Sequence, residues 1–114
     1  MKYMLLIIGF HQDDDGAESP TAEAFIEYEQ TVKDAGIKVD ANVLEDIAIA
    51  TTVRVRNGEQ LVTDGPFAET REFVGGYYVI DVPDLDAALD WATRCPGARF
   101  GRVEVRPIAD YGLS

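Results

Sequence analysis

The stretch TDGPFAETRE, residues 63–72, decides how this chain folds, because it separates two strand-like runs with a polar turn. Asp64 can hydrogen-bond the backbone ahead of it, Gly65 tolerates a positive φ, and Pro66 fixes φ while removing an N–H donor. Such a segment cannot be an ordinary strand interior, so we predict a turn. Its four ionisable side chains make it the predicted site for a small polar ligand. It contains no metal-ligand spacing, no phosphate-binding glycine loop and no nucleophile beside a base.

A hairpin is predicted immediately before this segment. Residues 50–56 alternate threonine and arginine side chains with Val53 and Val55, which is the period of a half-buried strand with one wet face. Asn57-Gly58 follows, and it is the strongest short signal for a hairpin because a type I′ turn requires positive φ at both central residues. Residues 59–63 therefore form the returning strand.

The remaining elements alternate between strands and helices. The predicted strands are residues 2–9, 38–44, 73–82 and 100–107. The first predicted helix covers residues 20–35, with Ser19 as its cap, Pro20 in first position and Gly36 as its stop. The second helix begins at Pro83-Asp84 and is ended by Cys95-Pro96-Gly97. Gly75-Gly76 predicts a bulge or a close backbone approach in the third of these strands.

This order predicts an α+β, ferredoxin-like split β-α-β fold with an inserted β-hairpin. Both helices must lie on one face of the sheet, so the other apolar face needs a cover. The simplest way to cover that face is to pack the sheet of a second subunit against it, so we predict a homodimer.

Composition indicates a single domain over residues 1–114, because 46% hydrophobic residues are enough for one core without a metal or disulfide. The formal charge of -11 repels nucleic-acid phosphate and anionic lipid, so we expect no nucleic-acid partner. The single cysteine, Cys95, cannot form an internal disulfide and is interpreted as structural, in a reducing compartment. The apolar run at residues 3–8 is too short for a signal peptide or a membrane span. We therefore predict a cytoplasmic protein that does not bind membranes.

Several stretches together resemble the DGPF branch of the YCII-related family. They are MKYMLLI (residues 1–7), TTVR (51–54), the segment at 63–72, GGYY (75–78) and VEVRP (103–107). The resemblance covers almost the whole chain and implies a domain that pairs into a dimeric α+β barrel. It implies little chemistry, but some such proteins are encoded beside sigma factors, which implies an accessory regulatory role. The broader family's suggested histidine–aspartate dyad draws its histidine from the first helix, where this sequence has Phe25 and Tyr28 instead.

Asp64 is the predicted centre of the site, either as a general base or as a carboxylate that orients the substrate. The alternative is a turn-forming aspartate that caps the Gly65 and Phe67 amides. Arg54 would pair with Asp64 or bind an anionic group, and otherwise it forms a surface ion pair. His11, the only histidine, is the second catalytic candidate, because the nearby acidic loop would raise its pKa; otherwise it is a solvated loop residue.

The rest of the segment supplies the predicted substrate-binding residues. These are Phe67, Glu69, Arg71 and Glu72. The charged members alternate in sign, so they either present a mixed-charge rim to a polar ligand or neutralise one another in solvent.

No metal or cofactor is predicted. The Asp13-Asp14-Asp15-Gly16 loop lacks the full EF-hand pattern and is interpreted as solvated. Trp91 is interpreted as a core or dimer-interface residue rather than part of a cofactor site. Three kinds of function stay open: a metal-independent enzyme acting on a small molecule, a metabolite-binding or accessory regulatory protein, and a structural dimerisation module.

Overall fold

The structure, a computed structural model, describes residues 1–10, 21–65 and 72–112, which form strands and helices in alternation. In chain order they are β1 (Lys2–Phe10), α1 (Ala22–Asp34), β2 (Lys38–Val43), β3 (Thr51–Arg56), β4 (Glu59–Asp64), β5 (Glu72–Asp81), α2 (Leu85–Arg94), α3 (Gly97–Phe100) and β6 (Arg102–Pro107), with a 3₁₀ turn at Ile47–Ile49. The main sheet has the order β2-β5-β1-β6 and all its pairings are antiparallel. This is the predicted α+β, ferredoxin-like arrangement, with the β3–β4 hairpin inserted as a separate two-stranded sheet.

The first helix begins later than predicted. Thr21 is its N-cap, and the Thr21 hydroxyl accepts a hydrogen bond from the Ala24 N–H at 3.2 Å. The prediction that Ser19 caps the helix with Pro20 in first position was therefore wrong, because Thr21 supplies its own capping oxygen one turn before Ala24. Gly36 ends the helix as predicted, with a φ of 71° that suits a residue without Cβ.

The second helix begins as predicted, but the chain that follows it differs from the prediction. The Asp84 carboxylate caps α2 by accepting from the Ala87 N–H at 2.9 Å. After Cys95, the chain makes the additional helical turn α3, because Pro96 is well tolerated at a helix start. The last strand therefore begins at Arg102 instead of residue 100.

The core lies between the helices and one face of the main sheet. Tyr3 and Leu5 of β1 and Ile80 of β5 contact the helical residues Val32 and Ala88 in one buried cluster. Each large apolar side chain fully removed from water contributes about 1.5–3 kcal/mol. Both helices are therefore on the same side of the sheet, as predicted.

The opposite side of the main sheet, which we call the open face, carries alternate residues of the same strands. Met4 and Leu6 of β1 lie there, and their partners across the ladder are Val79 and Tyr77 of β5. The Cα positions extend only 19 Å along their shortest axis. Packed layers are spaced by about 10 Å, so this thickness fits two layers and not three.

The predicted bulge is present in β5. Ile7 pairs with Gly76 and Ile8 with Val74, which leaves Gly75 as the extra residue. The predicted close approach is also confirmed, because a Cβ on Gly76 would lie 2.8 Å from the Asn42 carbonyl oxygen. The glycine pair therefore lets β2 approach β5 where the ladder is irregular.

The hairpin has the predicted turn but not the predicted burial. Asn57 and Gly58 have φ values of 52° and 78°, as a type I′ turn requires. Val53 and Val55, expected on the buried side of β3, are 55% and 60% exposed. The expectation of a half-buried strand was wrong for the single chain, because the described hairpin pairs with no strand of the main sheet and its apolar side meets no core.

Candidate functional site

Asp64 is the last residue of β4, at the base of the hairpin, and its side chain is exposed. The turn that follows is held by its neighbours. The Gly65 N–H donates to the Ala50 carbonyl, and the Thr52 hydroxyl donates to the Gly65 carbonyl at 2.9 Å. Within the described residues, the Asp64 carboxylate has no hydrogen-bond or ion-pair partner. The alternative in which Asp64 caps the Gly65 amide is therefore wrong, since that N–H is bound to Ala50; Phe67 lies outside the described residues.

The structure does not place Arg54 on the same side of the hairpin as Asp64. Asp64 pairs with Thr51, whereas Arg54 pairs with Leu61. Since paired residues share a face and successive residues alternate, the two side chains leave opposite faces. Arg54 is half-buried and has an interaction partner of its own. A direct pairing of Arg54 with Asp64 is therefore not seen, although a role for Arg54 in binding a ligand stays a prediction.

Most other predicted site residues lie outside the described part of the chain. These are His11, Phe67, Glu69 and Arg71, together with the acidic loop at residues 13–16. Glu72 is described as the first residue of β5, and it pairs with Phe10, the last residue of β1. This pairing joins the position just before His11 to the position just after Arg71. The chain therefore enters the acidic loop and leaves the 63–72 segment at one corner of the main sheet.

A polar network that the sequence analysis missed lies on the open face. The Asn42 amide nitrogen donates to the Tyr77 hydroxyl at 2.8 Å, and that hydroxyl donates to the Asp40 carboxylate at 3.0 Å. Asp40 and Asn42 alternate along β2 with Ala41, which packs against the core on the other side. That period-two pattern, read together with the GGYY stretch, was the signal available in the sequence.

A groove of about 940 Å³ forms the far end of the open face. Its walls include Lys2, Val79 and Asp81 on the sheet, and Ile108 and Tyr111 near the end of the described chain. Lys2 pairs with Asp81 at one end of β1, whereas Phe10 pairs with Glu72 at the other. At ~3.3 Å per residue the two ends are roughly 26 Å apart, so this groove is distinct from the corner where Phe10 pairs with Glu72.

The pKa shifts of three side chains in and beside the core have clear physical causes. Burial raises the pKa of the Tyr28 and Tyr78 hydroxyls well above the ordinary tyrosine value. Tyr78 also hydrogen-bonds Glu29, whose pKa is lowered chiefly by its ion pair with Lys38. These groups link α1 to β2 and β5, so their role is to hold the layers together.

Cys95 and Trp91 occupy the structural positions expected for them. Cys95 is fully buried, and burial raises the pKa of its thiol, which disfavours the reactive thiolate. Trp91 packs against the core edge-on to Tyr28, with 6.4 Å between ring centroids, while the Arg94 guanidinium lies 4.3 Å from the Trp91 ring centroid. In the described residues, no helix is long and apolar enough to cross a membrane.

Comparison with known proteins identifies the family. A model of the YCII-related domain matches residues 1–111. The chain belongs to the YCII-related family. It is also 50% identical, over 64 residues, to the uncharacterised protein R00369 of Rhizobium meliloti (strain 1021), a match that covers 54% of this chain and 52% of that protein. The match thus spans about half of that relative, and the relative's name carries no activity to this member of the family.

Proposed function

We propose that this chain is a homodimeric member of the DGPF branch that processes a small polar molecule at a site centred on Asp64. The observation that carries the proposal is the state of the Asp64 carboxylate. It is exposed at a hairpin base held by Gly65 and Thr52, and no described residue occupies it. A carboxylate without a partner among the described residues is available to take a proton or to orient a substrate.

The other predicted site residues take roles around this carboxylate. Arg71 holds an anionic group of the substrate beside Asp64, since a guanidinium binds carboxylate or phosphate through two hydrogen bonds. His11 is the second proton-transfer group. The pairing of Phe10 with Glu72 supports this assignment, because the chain reaches His11 and leaves Arg71 at the same corner of the sheet. Phe67, Glu69 and Glu72 form the rim of the site.

A homodimer, arranged as a dimeric α+β barrel, is part of the proposal. The helices cover one face of the sheet and leave the apolar side chains Met4 and Leu6 half-buried on the other. The radius of gyration is 16.2 Å, against about 13 Å for a compact chain of this length. A second subunit would cover this face.

The same geometry supports two other kinds of function. A metabolite-binding protein with an accessory regulatory role, in line with the sigma-factor association of some related proteins, would use the same carboxylate without turnover. A structural dimerisation module would use only the open face and the hairpin. The exposed Asp64 favours a ligand site over pure dimerisation, because dimerisation has no need of a free carboxylate at that position.

A thermal-shift screen of several hundred polar metabolites separates these functions. A compound that binds the native state raises the melting temperature. At a free concentration of 100 times its Kd, the compound adds about 2.7 kcal/mol to the free energy of unfolding. The proteins compared are wild type, Asp64→Asn, and Glu59→Gln as the control. Glu59 is exposed on the same strand and its side chain leaves the opposite face, so the control removes the same charge elsewhere.

We expect at least one compound to stabilise wild type and Glu59→Gln but not Asp64→Asn. NMR spectra recorded over hours on the compound with catalytic amounts of protein then distinguish turnover from binding alone. A ligand bound equally by all three proteins would refute the Asp64 site. Binding without turnover would favour the metabolite-binding function, and a dimer that binds nothing in the screen would favour the dimerisation module.

A further inference from the structure

A bulge in β2 decides which of its side chains lie on the open face. The register of β2 against β5 shifts between Lys38 and Asp40, which leaves Val39 as the extra residue. Asp40 consequently pairs with Val79, on the open face. In a ladder without the shift, Asp40 would pair with Tyr78, whose side chain is in the core. The bulge therefore turns a carboxylate onto the open face, and bulges that redirect a side chain are frequent beside functional sites.

The Asp40 carboxylate is held in one direction by the Tyr77 hydroxyl. That hydroxyl donates to Asp40 Oδ2 at 3.0 Å and accepts from the Asn42 amide nitrogen at 2.8 Å, so each group orients the next. Asp40 lines the groove at the far end of the open face. Its other carboxylate oxygen, Oδ1, has no hydrogen-bond partner among the described residues. Supporting hydrogen bonds of this kind preorganise a side chain to bind a ligand.

Lys2 lines the same groove and brings a positive charge to it. Asp81, which pairs with Lys2 in the ladder, accepts a hydrogen bond from the amino group of Met1 at 3.1 Å instead. The Asp110 carboxylate, also in the groove, already accepts a backbone N–H at 3.0 Å. Within the described part of the chain, the Lys2 ammonium has no ion-pair partner. Lys2 and Asp40 therefore leave two opposite charges in one groove, not paired with each other.

The groove is otherwise mainly apolar. Val79, on the inner strand β5, is buried, while Val39, Ile108 and Tyr111 are exposed along the walls. A volume of about 940 Å³ lies in the range of small-molecule sites, roughly 300–1,000 Å³. Such sites are mostly apolar and contain a few placed polar groups. The groove has this composition within a single chain.

We infer that the groove binds a small zwitterion of the ω-amino-acid type, whose ammonium and carboxylate are joined by an apolar body. The ammonium binds Asp40, the carboxylate binds Lys2, and the body lies on Val79. Lys2 is on β1 and Asp40 on β2, with β5 between them, so the two strands are ~10 Å apart. The formal charge of -11 repels a ligand that carries only negative charge. The site does not include Asp64, so the inference is independent of the proposed function.

Three matched compounds test the site in the unaltered protein. Aminocaproate carries both charges, caproate carries only the carboxylate, and hexylamine carries only the ammonium. Chemical-shift titrations of isotope-labelled protein give the Kd of each compound and the amides that it perturbs. We expect aminocaproate to bind at least about fivefold more tightly than either other compound, with shifts at Asp40 and Tyr111. Equal Kd values for the three compounds, or failure of aminocaproate to bind, would overturn the site.

Substitutions then assign each charge to its residue. Asp40→Asn should weaken aminocaproate binding by at least about fivefold and change the Kd of caproate by less than about twofold. Lys2→Gln should weaken aminocaproate binding to a similar extent and leave the Kd of hexylamine unchanged. Asp90→Asn is the control, because it removes the same charge as Asp40→Asn from an exposed position on α2, on the other side of the sheet. If Asp40→Asn binds aminocaproate as tightly as Asp90→Asn, the assignment is refuted.

Tyr77 is a positioning residue in this site. Tyr77→Phe keeps the ring and removes the hydroxyl that orients Asp40. It should weaken the binding of aminocaproate and hexylamine, which use Asp40, and leave that of caproate unchanged. A purely structural effect would alter all three Kd values together, and that result would contradict the positioning role.

Discussion

Replacing Tyr28 by phenylalanine isolates one hydrogen bond that joins the two main helices. The Tyr28 hydroxyl donates to the Trp91 carbonyl in the last turn of α2, at 2.7 Å. Carbonyls in a last helical turn have no partner within the helix. The Cys95 N–H, four residues after Trp91, donates to the Ala92 carbonyl instead. Tyr28 therefore supplies the Trp91 carbonyl with a partner that α2 itself does not provide.

The size of the effect follows from what the substitution keeps. Tyr28 is 5% exposed. Phenylalanine preserves its ring and the edge-on contact with Tyr78, whose ring centroid is 5.3 Å away. What is lost is the hydroxyl, and this partly buried carbonyl is left without a partner, for which a buried group would cost about 1–3 kcal/mol. We expect Tyr28→Phe to lower the free energy of unfolding by ~1.5 kcal/mol, or about 6 °C in Tm at roughly 4 °C per kcal/mol.

Urea unfolding followed by circular dichroism, at one fixed protein concentration, measures the change. Tyr111→Phe is the control, because Tyr111 is 81% exposed, and its effect should stay within about 0.5 kcal/mol. If Tyr28→Phe is as stable as Tyr111→Phe, the Trp91 carbonyl does not depend on Tyr28 and the reasoning is refuted.

The same variant has a signature in alkaline solution. Burial raises the pKa of Tyr28 in the folded state. Below the unfolded pKa of about 10, Tyr28 is neutral in both states and its whole contribution to stability is present. Above that pH the unfolded chain gains stability by losing the proton, and the wild-type stability falls. The stability difference between wild type and Tyr28→Phe should therefore shrink as the pH rises above about 10.

Three further predictions concern local features of the fold. Gly76→Ala should destabilise the protein by about 1–3 kcal/mol in urea unfolding, because its Cβ would lie 2.8 Å from the Asn42 carbonyl oxygen, which is part of the backbone and has little freedom to move. Thr21→Ala should cost about 1 kcal/mol, and Thr21→Ser much less, if the hydroxyl caps α1; equal losses in thermal denaturation would contradict this. The ion pair with Lys38 lowers the pKa of Glu29, so its contribution is present above the unfolded pKa of about 4.3 and is lost as the pH falls through the lower folded value. Below about pH 4, the free energy of unfolding of Glu29→Gln should therefore fall less steeply with pH than that of wild type. Equal slopes for the two proteins would argue against the ion pair.

The sequence predicted most of the described strands and turns because local chemistry and the final fold agree there. Gly36 and Asn57-Gly58 adopt the positive φ that their turns require. Gly76 marks a close approach of β2 that only a residue without Cβ permits. At these positions the residue type itself carries the structural constraint.

The errors arose where two neighbouring residues could both form the same local structure, or where the burial of a side chain depends on a second part of the chain or a second chain. Ser19 and Thr21 both offer a capping hydroxyl, and a sequence pattern cannot rank two such neighbours. The stop at Cys95-Pro96-Gly97 was confirmed, but the helical turn α3 after it was missed, because proline also suits the start of a helix. The alternation in β3 identified an apolar side correctly, but periodicity cannot say whether the same chain or another covers it.

The candidate site was predictable only in part, for a related reason. Turn chemistry predicted Asp64 directly after the returning strand, one residue from its place as the last residue of β4, but the hydrogen bonds of Gly65 and Thr52 beside it depend on the register of β3 and β4. The separation of Arg54 from Asp64 follows from the same register. Tyr77, Asp40 and Asn42 meet because β2 returns beside β5; the period-two pattern indicates their common face but not this pairing.

The outer strands of the main sheet bear on how this protein behaves at high concentration. An exposed strand edge is a template for pairing with further chains, and repeated pairing produces filaments. Here β6 ends at Pro107, which has no N–H to donate, and the register of β2 shifts between Lys38 and Asp40, which interrupts its ladder. Both borders of the main sheet therefore disfavour open-ended strand pairing between chains at high concentration.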